Sequence, residues 1–157
     1  VTDETKRFYK RKEWPKGEWD DEPDQGEWID EKTKLQCAFV RNGSGALCGY
    51  VGVPEGHEFY GVAYDSVEIE GSSWGPDVHG GLTYGSDGRK SFLRHYLPTL
   101  PDLWWLGFDC AHCSDLLPGH PTAGIDGFYR NLAYVKAEAA RLAAQLAGLK
   151  TCERALA

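Results

Sequence analysis

A stripe of apolar residues near the C-terminus does most to limit the architectures open to this chain. Phe128, Leu132, Val135, Ala139, Leu142 and Leu146 follow one another at steps of four, three, four, three and four, with Ala, Lys, Glu, Arg and Gln between them. That spacing predicts an amphipathic helix, with Asp126 placed to cap its first amides and Gly148 to stop it. Such a stripe must be buried, and a single short repeat suits a sheet surface better than a coiled coil.

The sheet is sought upstream. "LQCAFVRNGSGALCGYVGV", residues 35 to 53, holds two short apolar runs around Asn42-Gly43-Ser44-Gly45, a turn composition that predicts a hairpin with strands near 36 to 41 and 46 to 53. "PEGHEFYGVAYDS" reads as loop, with Pro54, Gly56 and Gly61 as punctuation. "VEIE" and "DVHGGLTYG" read as further short strands, and "DLWWLGFD" is the nearly continuous apolar run of a central strand. The fold class expected is α+β, a mainly antiparallel sheet with one long C-terminal amphipathic helix packed on it.

The 157 residues suit one domain. Charge divides it: residues 1 to 12 hold five Lys/Arg against two acids, and residues 13 to 31 hold nine acids against Lys16 alone. We therefore expect a charged N-terminal arm over 1–31 and a single domain over 32–157. Trp14, Trp19 and Trp28 run against plain disorder in that arm, because indoles favour docking on a surface. The net charge of -7 argues against duplex nucleic-acid binding, which draws on a basic face. No apolar run approaches the roughly 18 residues of a membrane span. The opening "VTDETKRFYKRKEW" lacks the apolar core of a secretory signal, so a cytoplasmic setting is expected. The five cysteines, an odd number, point to thiols or metal ligands rather than a disulfide framework.

The chemistry gathers in "WWLGFDCAHCSD", residues 104 to 115. Alternation along the strand puts Leu103, Trp105, Gly107 and Asp109 on one side and Trp104, Leu106 and Phe108 on the other, leaving Asp109 at the strand end. A helical turn beyond it would bring Asp109 near His112, and His112 near Asp115. With His79 from "PDVHGG", the set His79, Asp109 and His112 has the donors of a divalent metal such as zinc, and Asp115 or His57 would serve as general base or ligand orienter. A Cys-only site from Cys37, Cys48, Cys110 and Cys113 is a second arrangement, and a hydrogen-bonded Asp109–His112 pair that merely holds the loop is a third.

"VHGGLTYG", residues 78 to 85, is the other motif. Gly80 and Gly81 allow close backbone approach and an anion-binding nest, His79, Thr83 and Tyr84 supply polar tips, and Arg89 and Lys90 add positive charge. A phosphorylated small molecule or nucleotide would suit a pocket of His79, Gly80, Gly81, Thr83, Tyr84, Asp109 and His112, with His57 of "GHEFYG" as a further contributor. Equally, the two glycines could only make a bulge. Neither a P-loop nor a nucleophile elbow is present.

Together, "RNGSGALCGYVGVPEGHEFYG", "VHGGLTYG", "WWLGFDCAH" and "YRNLAYVKAEAARLAAQLA" resemble a family of small proteins encoded in bacteriophage and prophage genomes, over roughly residues 13 to 148. The positions of His57, His79, Asp109, His112 and Asp115 match that pattern; Cys113 does not. The resemblance carries no catalytic assignment with it. It implies an accessory protein acting in a bacterial host cell, by capturing a host defence factor or a phosphorylated or nucleotide ligand. A metal-dependent hydrolase and a protein inhibitor working through the acidic arm are the alternatives.

Overall fold

The computed structural model describes residues 13–120 and 127–149. Five strands form one sheet: β1 (Gln25–Ile29), β2 (Gln36–Arg41), β3 (Leu47–Val53), β4 (Tyr84–Asp87) and β5 (Trp104–Asp109). Their spatial order is β1-β2-β3-β5-β4 and every neighbouring pair is antiparallel. The α-helices among the described residues are the one-turn α1 (Leu93–Tyr96) and the long α2 (Leu132–Leu146). This is the α+β architecture expected, and no helix among the described residues is long and apolar enough to cross a membrane.

The hairpin forms where the turn residues demand it. Asn42 Oδ1 accepts from the Ser44 and Ala46 amides at 3.0 and 3.1 Å, and Gly45 takes φ +91, so the loop closes on its own side chain and β2 and β3 enter in register. β2, β3 and β5 are the interior strands, and β3 pairs with β5. Their aromatics sit over glycines across the pair: a Cβ on Gly49 would meet the Phe108 ring at 2.5 Å, and one on Gly107 the Tyr50 ring at 2.4 Å.

Alternation divides the core in two. Cys37, Phe39, Val51, Leu106 and Phe108 face α2 and meet its stripe of Val135, Ala139, Leu142 and Leu146. Ala38, Val40, Tyr50 and Trp105 face the other way and are covered by Leu93, Leu97 and Leu100. The facing expected for the strand at 104 to 109 therefore holds.

Several expectations need correction. Helix α2 starts at Leu132, capped by Asn131, whose Oδ1 accepts from the Tyr134 amide at 3.0 Å; Asp126 lies outside the described residues, and Phe128 stays outside the helix as a 69% exposed ring. Gly148, at φ +71, does end it. "VEIE" is not a strand, and of "DVHGGLTYG" only the end enters β4. Two features keep residues 77–82 out of the sheet. Gly80 and Gly81 both take positive φ, and the chain is bound to helix side chains instead: Gln145 Oε1 accepts from Asp77 N at 2.7 Å and Glu138 Oε2 from His79 N at 2.7 Å.

The described part of the N-terminal arm is not separate from the domain. Residues 25–29 are the edge strand β1, Trp19 is buried with its ring edge-on to Tyr129 at 5.1 Å, and Trp28 rests on Phe39. Asp24 is fully buried against the equally buried Arg41, Nε to Oδ1 2.7 Å. Acidic composition hid a segment in which Asp24 and Asp30 are buried and residues 25–29 pair with β2. Residues 1–12 lie outside the described residues.

Candidate functional site

Three segments converge beside α2. The first, ahead of β4, carries His79, with its backbone tied to Glu138. The second leaves β5 at Asp109 and turns at once, Asp115 N–H bonding His112 carbonyl at 2.9 Å, which folds residues 112 and 115 onto one another. The third, residues 127–131, runs parallel to the second where they touch: Phe128 N–H bonds Ser114 carbonyl at 2.9 Å and Leu116 N–H bonds Phe128 carbonyl at 3.0 Å.

Asp115 is the centre of the arrangement. Its side chain is wholly buried, yet Oδ1 accepts from Arg130 Nε at 2.9 Å, and Oδ2 meets His79 Nε2 at 2.8 Å and the His112 amide at 3.0 Å. Burial by itself pushes this carboxyl up, but the hydrogen bonds from His79, Arg130 and the His112 N–H outweigh it and hold the group below its ordinary value. Asp115 is therefore a buried anion with its partners built around it.

The two histidines are held from opposite sides. His79 Nδ1 lies 2.8 Å from Tyr134 Oη, so both ring nitrogens have partners. The His112 ring stands edge-on to it, centroids 5.3 Å apart, with Nδ1 3.4 Å from Asp115 Oδ2 and Nε2 4.0 Å from Asp109 Oδ1. His112 Nδ1 is buried and makes no hydrogen bond, although it is aimed at the Asp115 carboxylate. Gly80 is what makes room for this ring: at φ +67, a Cβ there would lie 2.0 Å from His112 Cε1.

Of the residues singled out in the sequence, His79, Gly80, His112 and Asp115 are brought together. Asp109 and Thr83 stand at the margin, Thr83 Oγ1 bonding Asp109 Oδ2 at 2.9 Å, and both are partly open to solvent. Asp109 therefore does not share the inner position with the histidines; Asp115 does, because the 112–115 turn swings it inward. Gly81 adopts φ +80, and its amide is already spent on Val78 carbonyl, so it offers no nest for an anion. Tyr84 is on the other sheet face, bonded to Ser91 Oγ and edge-on to Tyr50. His57 is also outside the cluster: its Nδ1 accepts from Phe59 N–H, and its ring lies against Phe59. Arg89 is bound to Asp87 at the far end of β4 rather than to any site residue.

The Cys-only site is excluded by topology. Cys37 and Cys48 belong to opposite core faces, Cys110 is buried with Cys37, and of these four described cysteines only Cys113 is exposed.

Arg130, Tyr134 and Glu138 were missed. A signal for Glu138 existed: it lies three residues after Val135 and four before Leu142, so a carboxylate sits on the apolar stripe itself. No family of proteins, no curated protein and no solved structure matches the chain.

Proposed function

We propose that this chain binds a divalent metal of the zinc class through His79, His112 and Asp115 and is a metal-dependent hydrolase. The observation that carries the reading is the convergence itself: one ligand atom from each of the three residues, drawn from separated segments, with all three atoms within 4.8 Å of one another. Two imidazoles and a carboxylate are a donor set of catalytic zinc, which leaves a position for water. The buried, unbonded Nδ1 of His112 fits the same purpose.

The outer contacts agree. His79 turns Nε2 inward and Nδ1 to Tyr134; His112 turns Nδ1 inward and Nε2 toward Asp109. Ligating histidines ordinarily have such an outer partner, which sets tautomer and ring orientation. His79 would offer Nε2 to the ion while Nδ1, 2.8 Å from Tyr134 Oη, would keep the ring oriented through that contact. A bound divalent ion supplies an activated water at neutral pH. Asp109 and the outer edge of His112 form the solvent-facing side by which a substrate enters.

A second reading, capture without metal, is favoured by one observation: both Asp115 oxygens and both His79 nitrogens are already hydrogen-bonded within the protein. Native mass spectrometry of protein purified without chelator separates the two. One zinc per chain that disappears in His112→Ala, with the circular dichroism unchanged, supports the metal centre. A parent chain that stays metal-free in micromolar zinc sinks it, and a nucleotide-sized adduct would then support capture.

A further inference from the structure

The acidic segment before β1 has no role in the reading above, yet its side chains reach toward the site. Glu22 Oε2 accepts the Leu132 amide at 2.5 Å, the first amide of α2, and Oε1 accepts Tyr129 Oη at 2.5 Å. Tyr129 Oη in turn accepts from Arg41 Nη1 at 2.7 Å, and Arg41 is fixed by Asp24 and by the Gly45 carbonyl at 2.9 Å. Asn131 Nδ2 donates to Glu18 Oε1 at 3.2 Å, and Trp19 stands edge-on to Tyr129. Tyr129, Asn131 and Leu132 are thus gripped from one side by residues 18–24. Arg130, between them, points the other way and bonds Asp115.

We infer that the segment Glu18–Asp24 is the positioning element of the candidate metal centre, with Glu22 setting residues 129–132 so that Arg130 is delivered to Asp115 Oδ1. The inference rests on the metal reading for its functional meaning, because it names what holds that centre in place. Glu22 is a positioning residue: its own side chain bonds Tyr129 and Leu132, and it acts through Arg130. The physical ground is that a guanidinium on a short loop keeps its hydrogen bond only while the loop backbone is fixed, and groups that orient a metal ligand usually govern affinity by about 10- to 100-fold. The acidic segment is then part of the site rather than a free tail. Any partner that lifts it from residues 129–132 would loosen Asp115.

The test is Glu22→Gln in the full chain, with two readouts. The first is hydrogen exchange at the Arg130 Nε–H, followed in a proton–nitrogen spectrum against the amide of Val51 in β3 as an internal reference. The second is zinc affinity by chelator competition, in Glu22→Gln, Arg130→Met and the double variant. Exchange at Arg130 accelerated about tenfold with Val51 unchanged is the result expected, together with about tenfold weaker zinc binding that does not worsen when the two changes are combined. Unchanged Arg130 exchange, or zinc losses that multiply in the double variant, would overturn the inference. If Glu22→Gln loosens Val51 as well, Glu18→Gln, which removes only the hold on Asn131, replaces it under the same criteria. A parent chain that binds no zinc defeats the metal reading alone, since the Arg130 exchange still decides whether Glu22 acts through it.

Discussion

Replacing Asp115 by Asn tests the site at its centre with almost no change in shape. The carboxylate accepts from Arg130, His79 and the His112 amide. Asparagine keeps one acceptor oxygen and turns an NH2 toward donors on the other side, so at least one charge-assisted bond is lost and a donor faces a donor. Hydrogen bonds to charged groups are worth about 1.5–3 kcal/mol each, and removing one partner of a buried ion pair costs about 3–5 kcal/mol. Because Arg130 keeps some contact with water, the lower end applies, about 3 kcal/mol. For a domain of this size that is a fall of roughly 6–12 °C in Tm. The assay is urea unfolding of chelator-treated protein followed by tryptophan fluorescence.

The pH dependence gives a second check. The folded-state pKa of Asp115 is depressed, so its stabilisation is present above the unfolded value near about 4 and is lost as pH falls through the lower folded value. The difference between parent and Asp115→Asn should be full at pH 7 and shrink in acid. A difference below about 1 kcal/mol at pH 7, or one that persists unchanged in acid, would refute the account of Asp115 as a buried, paired anion.

Three further outcomes are expected. Gly81→Ala should cost about 1 kcal/mol from its positive φ alone, since nothing lies within 4 Å of an added Cβ, whereas Gly80→Ala should cost more and abolish zinc binding by displacing the His112 ring; urea titration and metal analysis of both variants check this. In a thiol-labelling experiment at pH 8 Cys113 should react in the folded protein, while Cys37 and Cys48, which burial pushes up to about 12, and Cys110, raised by burial as well, should react only on unfolding; peptide mapping shows which. Arg41→Met should destabilise by about 3–5 kcal/mol by leaving Asp24 buried and unpaired, and Arg41→Lys should not restore stability, because one ammonium cannot reach Asp24, Gly45 and Tyr129 together; thermal unfolding of both variants measures it.

The parts of the fold that were legible are those where local chemistry and tertiary packing agree. The Asn42–Gly45 turn and the stripe from Leu132 to Leu146 describe a hairpin and a helix whether or not a neighbour is known. β1 was hidden because its stability comes from Gln25 and Asp24 buried beside β2 and Arg41, partners that only the assembled sheet provides. At the site, His79, His112 and Asp115 stood out as residue types, but which carboxylate faces inward depends on the turn at 112–115. That turn sends Asp109 to the outer edge of His112 and Asp115 to the inner one. Glu138 and Tyr134 escaped because a helix pattern is read for its apolar positions, although Glu138 sits buried on the stripe itself and Tyr134 reaches His79 beside it.

The strand order has a consequence for how the chain reaches this state. β3 is followed by β4 in sequence but bonded to β5 in space, with Val53 opposite Trp104. Until Trp104–Asp109 arrives, β3 presents an apolar edge, Leu47 to Val53, with unpaired backbone groups open to any passing strand. A chain emerging N-terminus first spends synthesis of the intervening loops in that condition, and loop closure over such a separation is slow relative to hairpin formation. His112 and Asp115 follow β5 directly, and Arg130 and Tyr134 come later still, so the candidate centre is assembled last and cannot template the sheet that carries it. A fragment ending before Trp104 should therefore aggregate through β3, whatever metal is supplied.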